Sequence, residues 1–220
     1  MAQQQTGTPP GFRKPNDQII SYYTLRILIG ATGILLPILV VIGKWISNGT
    51  PALEFSISDY YDNGAGGDIL VGVLFVLGFF LLSYKGPEKI DNRTADVGCV
   101  AALGVALFPT TYCAGCWVYY LHFVFALTLF SVFIFFSLVL FRKTDPQKQM
   151  SPEKKNRNKI YLTCGIIMIV CILAIAFSLL VLKQAISEKY SLVYWFESIA
   201  LASFGFSWIT KSETLFLRDH

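Results

Sequence analysis

The stretch Ile69-Leu-Val-Gly-Val-Leu-Phe-Val-Leu-Gly-Phe-Phe-Leu-Leu-Ser-Tyr84 contains no charged residue. An uninterrupted apolar run of this kind is not the alternating or 3.6-residue patterning of a soluble domain. Directly before it lies Glu54-Phe-Ser-Ile-Ser-Asp-Tyr-Tyr-Asp-Asn-Gly-Ala-Gly-Gly-Asp68, a long polar segment. Working outward, the pattern repeats: further apolar runs fall at about 22–44, 95–112, 117–141, 160–182 and 192–209. Such runs approach or reach the roughly 17–25 residues that cross a hydrocarbon core of about 30 Å. Of the 220 residues 54% are hydrophobic and only 15% charged, which fits a polytopic membrane protein. A membrane barrel would show segments of about 10 residues alternating in polarity, and the sequence has none.

The expected fold is therefore all-α, a six-transmembrane-helix bundle. A polar tail at 1–21 precedes a single transmembrane domain at 22–210 and a short tail at 211–220. Met1–Gln18 is polar and Pro-rich, with no small-residue cleavage site after a short apolar core, and reads as a tail rather than a cleaved signal peptide.

Orientation follows from the 18 Lys and Arg residues. Six spans leave only Lys44, Lys183 and Lys189 on one side, so 18 less 3, or 15, fall on the other. The positive-inside rule then makes both termini cytoplasmic. The same bias explains the net charge of +4 without any nucleic-acid partner and makes 142–159 a cytoplasmic loop. Within the spans, Pro37 predicts a kink in the first, and Arg26 is placed to snorkel to the surface. The small residues Ala95, Gly98, Ala101, Ala102, Gly104 and Ala106 place the third span at the bundle centre. Phe123, Phe125, Phe130, Phe133, Phe135 and Phe136 make the fourth a lipid-facing helix.

Ionisable groups inside spans point to function, because a charge in hydrocarbon is costly unless partnered. Glu197 and His122 each lie about five residues inside the outer ends of their spans, roughly 8 Å deep. Asp68 opens the second span at that surface, and Asp59 sits in the loop above. Thr110, Thr111, Tyr119, Tyr120 and Tyr194 share the depth. The functional reading is an outward-facing pocket of Asp59, Asp68, His122 and Glu197 that binds a lipid or small ligand. The structural alternative is a His122–Glu197 hydrogen bond tying two spans together. One His with scattered carboxylates is a poor zinc set, so no metal is assigned.

Cys113-Ala-Gly-Cys116 is a second candidate, at the outer surface where a compartment would be oxidising. It resembles the active pair of membrane thiol oxidoreductases of the vitamin K epoxide reductase type. Those enzymes also use a relay pair in an outer loop, and 45–67 holds no cysteine. Cys99, Cys164 and Cys171 lie in apolar runs, where a thiol acts as a small filler. Lys211 sits too near the cytoplasmic surface for a retinal-type Schiff base, and Asn48-Gly-Thr50 matches a glycosylation sequon.

Ser56-Ile-Ser-Asp-Tyr60, leading straight into the second span, resembles a motif of the six-span DRAM and GPI-lipid-remodelling proteins. The chain is also similar to bacterial six-span proteins of unknown function over Tyr22–Lys211. The carrying features are Tyr84-Lys-Gly86, Ala106-Leu-Phe-Pro-Thr110, His122, and Glu197 with Phe204-Gly-Phe-Ser-Trp208 and Lys211. The Gly-rich stretch after Asp59 departs from the DRAM-like pattern, which lessens any transfer of lipid remodelling. The resemblance implies a membrane protein, in a bacterial inner membrane, with a lipid-related or unknown role and no established catalytic residues.

Three readings stand on the sequence. One is a protein that binds a lipid or small ligand, with membrane lipids as partners. Another is a thiol oxidoreductase using Cys113 and Cys116. The third is a transporter or channel subunit working as a homo-oligomer, since six short-loop helices leave little room for a pore in one chain.

Overall fold

The computed structural model describes residues 21–110, 116–144, 150–182 and 184–212. Six long helices dominate them: α1 (Tyr22–Asn48), α2 (Ala65–Ser83), α3 (Lys89–Leu107), α4 (Trp117–Phe135), α5 (Pro152–Leu180) and, after the short α6 (Gln184–Lys189), α7 (Leu192–Lys211). No strand occurs among the described residues. Five of the long helices are long and apolar enough to cross a membrane. The exception is α3, whose first half carries Lys89, Asp91, Arg93 and Asp96. Large apolar side chains stand exposed around the outside, among them Ile38, Val100, Leu127 and Leu173. A continuous apolar exterior of this kind is what a lipid solvent selects. The chain is an integral membrane protein.

Local chemistry sets the helix ends. The Ser21 hydroxyl accepts the Thr24 N–H, and the Ser151 hydroxyl accepts the Lys154 N–H ahead of Pro152 in the first turn. Glu88 and Asp91 form a reciprocal capping box on α3. These caps move two expected boundaries. The polar turn after α2 ends at Glu88, and the basic 142–159 segment becomes helical from Pro152 onward. Pro37 sits inside a helix that α1 continues without a break.

The helices form a closed ring in the order α1, α2, α3, α4, α5, α7. The tightest crossing lies between α1 and α7, where a Cβ on Gly30 would fall 2.5 Å from the Gly205 carbonyl oxygen and one on Gly205 2.3 Å from that of Gly30. Only glycine fits on either side of that crossing. The expectation of a central α3 is corrected here: α3 lies between α2 and α4, with Val97, Val100 and Leu107 exposed. Its alanines line one inward face, and Gly104 receives the Phe125 ring. Periodicity in the lipid-facing half of a span is apolar too, so composition alone could not tell centre from rim.

At the end of the ring where α1 begins, aromatic rings close the interior. Trp208 meets Tyr84, Phe136 and Phe141 at centroid distances of 4.9, 5.0 and 5.1 Å. The helix α4 runs on into a π-helical turn, Phe136–Leu140, where the Phe141 N–H donates to the Phe136 carbonyl. The wider turn brings Phe136, Ser137, Leu140 and Phe141 all inside. Of the six phenylalanines expected to face lipid, Phe123 is exposed, whereas Phe133 and Phe136 are fully buried. Arg26 does not snorkel: it is buried, stacks on Tyr22 and donates to the Lys211 carbonyl at 2.8 Å. It satisfies one of the last carbonyls of α7.

Candidate functional site

The opposite end of the ring is closed by main chain rather than by rings. The segment between α1 and α2 turns back into the mouth of the bundle, with Ser56, Ile57 and Tyr60 buried and a short 3-10 helix at Ser58–Asp62. A buried loop must find partners for its peptide groups, and here α7 and α1 supply them while α4 holds a loop side chain. From α7, the Tyr194 N–H donates to the Phe55 carbonyl at 2.9 Å. Glu197, one turn further, accepts the Ile57 N–H on Oε2 at 2.7 Å. From α4, His122 Nε2 lies 2.9 Å from the Ser58 hydroxyl. From α1, the buried Lys44 donates to Glu54 at 2.5 Å and to the Ala52 carbonyl at 2.8 Å. Within the loop, the Ser56 N–H donates to the Asp59 carboxylate, and the Asp59 N–H to the Ser56 hydroxyl.

His122 has both ring nitrogens engaged. Pro109 ends α3 and leaves the Phe108 carbonyl outside the helical ladder, where it lies 2.8 Å from His122 Nδ1. A carbonyl only accepts, so Nδ1 carries a proton. In the neutral ring Nε2 then accepts from Ser58. The expected direct bond between His122 and Glu197 is thereby replaced. The two side chains grip adjacent residues of the loop, Ser58 and Ile57, and α4 is joined to α7 through it.

The glycine-rich run is helix rather than loop, since α2 starts at Ala65 and not at Asp68. At Gly67 a Cβ would lie 1.9 Å from the Tyr61 carbonyl oxygen, so the loop folds onto the helix start only because no side chain is there. This shift corrects the expectation for Asp68. It stands exposed in the first turn of α2 and does not line the cavity described next.

Beside the loop a cavity of about 430 Å³ opens between α4 and α5, the loosest adjacent pair in the ring. Its polar end is made by Ser56, Ser58, Asp59, Thr110, Tyr119, His122 and Glu197. Its apolar end is made by Phe123, Leu127 and Phe130 of α4 and Ile172, Ile175 and Leu179 of α5. Phe123, Leu127 and Leu179 are also exposed on the outer surface, so the apolar end opens sideways. The Thr110 hydroxyl is shut off from solvent and has no hydrogen-bond partner among the described residues. Glu197 also borders a second, smaller void reaching inward to Leu36, Leu74 and Leu201.

Three of the four expected pocket residues, Asp59, His122 and Glu197, thus share one cavity, with Thr110 and Tyr119 beside them. Tyr194 is buried and donates to the Pro37 carbonyl at 3.0 Å, and Tyr120 faces outward. Burial pushes the Asp59 carboxyl above the ordinary range, against the hydrogen bonds from Ser56 that pull it down. Burial likewise pushes the Tyr60 phenol up to about 12, which keeps it a hydroxyl that accepts the Glu54 N–H.

Cys116 precedes α4 and is disulfide-bonded; Cys113 and Thr111 lie outside the described residues. Cys99, Cys164 and Cys171 are free and buried. Among the described residues no three His, Cys, Asp or Glu side chains stand close enough to hold a metal ion. Sequence reasoning missed Ser58, the Phe108 carbonyl and the Lys44–Glu54 pair. Lys44 gave a signal, as a lone cation at the end of an apolar run.

Comparison with known proteins adds nothing to this geometry: no family model, curated protein or solved structure matches the chain.

Proposed function

We propose that the chain is a six-span membrane protein with both termini cytoplasmic, and that it holds a small amphiphile in the cavity between α4 and α5. The observation that carries the reading is the division of that one cavity. Its polar end is built from Asp59, His122 and Glu197, and its apolar end opens sideways through Leu127 and Leu179. Its volume falls within the range of small-molecule sites, about 300–1,000 Å³. The six-span topology adds α3 to the five apolar helices. The length of α3, 19 residues or roughly 28 Å at 1.5 Å per residue, supports this, as does the Lys and Arg asymmetry. That topology puts the loop, Asp59 and the polar end of the cavity in the outer leaflet. The resemblance to bacterial six-span proteins supports a cytoplasmic membrane of a bacterium as its site.

Mass spectrometry of the gently solubilised protein tests the reading, wild type beside Glu197→Gln. Glutamine keeps an oxygen for the Ile57 N–H, so the loop stays docked while the carboxylate charge is removed. A stoichiometric lipid or metabolite on the wild type that is depleted in the variant is the expected result. Bulk lipid alone, equal in both, would leave Glu197 a packing residue.

A further inference from the structure

The cavity's polar end carries two carboxyl groups and, among the described residues, no Lys or Arg, and this bears on what it takes. The inference rests on the amphiphile reading above and names the head-group class. Its ionisable lining residues are Asp59, Glu197, His122 and Tyr119, and among the described residues no Lys or Arg lines it. Three of the loop's peptide N–H groups are already engaged. Those of Ile57, Ser56 and Asp59 donate to Glu197, Asp59 and the Ser56 hydroxyl, respectively. Lys44 is committed to Glu54 and Ala52 and does not line the cavity. Meanwhile acceptors are to spare. Ile57 is the one hydrogen-bond partner of Glu197 among the described residues, which leaves Oε1 open; the Thr110 hydroxyl, unpartnered among the described residues, can accept or donate.

A phosphate or carboxylate head entering this end would meet Asp59 and Glu197, whose ionised forms repel it with little water to screen the charges. A head that donates hydrogen bonds and carries positive charge is complementary on both counts. The rings of Tyr119, Phe123 and Phe130 in the wall favour a cation further. The apolar end then takes the chain, which can slide in from the membrane between α4 and α5 past Leu127.

We propose that the ligand is a long-chain amine, held by its ammonium group between Asp59 and Glu197 with its alkyl chain on the α4–α5 face. Native mass spectrometry of the detergent-solubilised full chain tests this with an equimolar mixture of hexadecylamine, hexadecanol and hexadecanoic acid, and with lysophosphatidylethanolamine as a separate arm. The wild type should retain the amine over the alcohol and the acid by about tenfold or more, as a charge-assisted hydrogen bond warrants. Glu197→Gln should abolish that preference, and Leu127→Trp, which fills the sideways opening, should reduce retention of all three chains. Retention of lysophosphatidylethanolamine as well would assign the ammonium to a lipid head; retention of hexadecylamine alone would assign it to a free amine, and either supports the proposal. Equal or greater retention of the acid, with Leu127→Trp still blocking it, would overturn the amine assignment and leave the amphiphile cavity standing. No retention of any chain would overturn both.

Discussion

The two ends of this bundle are sealed by different physics. At one, Tyr84, Phe136, Phe141, Tyr161 and Trp208 interlock with essentially no exposure; the π-helical turn after α4 brings Phe136 and Phe141 onto the indole, and Tyr84 meets it from the end of α2. At the other, a polar loop is held by hydrogen bonds from α1, α4 and α7, and a cavity remains beside it. Ring packing fills the space around Trp208 and leaves no vacancy there for a ligand. Hydrogen bonds to a loop fix its position without filling the volume around it. The same six helices therefore hold tightly at one end and leave room at the other, where α4 and α5 diverge.

The comparison breaks most visibly at Trp208. Removing its ring by Trp208→Ala should cost about 3–5 kcal/mol, the usual range for a large aromatic in a packed interior. Trp208→Phe should cost far less, because the indole Nε1 has no partner among the described residues and its loss leaves nothing unpaired. Thermal unfolding in detergent reads both. If Trp208→Ala unfolds no earlier than wild type, the aromatic end is not what holds the ring together.

The difference between the two ends also marks what the sequence could show. Depth was legible, since His122 and Glu197 lie at the level their places in the apolar runs require, and both reach the cavity. Direction around each helix was not, because in lipid both faces of a span are apolar and the hydrophobic pattern no longer marks the inside. Hence the sequence places α3 at the centre and Phe133 and Phe136 toward lipid, whereas α3 lies between α2 and α4 and both rings are buried. Partners were hidden for another reason. His122 and Glu197 meet the loop at a side chain and a peptide N–H, and main-chain partners leave no trace in residue type. Pro109 did leave one, freeing the carbonyl that orients His122.

At the loop end a smaller effect is expected from Asp59. Burial holds its folded pKa above the ordinary carboxylate value. The folded state therefore binds more protons than the unfolded one through that window, and stability from this group, full below the ordinary value, is lost as pH rises through the folded one. Asp59→Asn keeps an acceptor for the Ser56 N–H and removes this titration. Unfolding temperatures measured from pH 4 to pH 8 should fall with rising pH more in the wild type than in Asp59→Asn. The variant should be the more stable of the two at neutral pH while holding amines less well. A parallel pH dependence in both would mean that the carboxylate is as well solvated in the loop as in the unfolded chain.

The smallest effect should come from Asp68, and it fixes where the site ends. Asp68 shares the loop end with Asp59 and Glu197, but it stands exposed in the first turn of α2 and away from the cavity. Its charge favours the helix N-terminus by an amount on the order of 0.3–1 kcal/mol, and salt screens that. Asp68→Asn should therefore lower the unfolding temperature slightly at low salt, not at all at high salt, and leave amine retention as in the wild type. Net negative charge near the mouth would attract a cation wherever it sat, so this variant separates a general surface field from a built site. Retention that falls as far in Asp68→Asn as in Glu197→Gln, and recovers in neither at high salt, would move the binding site out of the cavity and onto the start of α2.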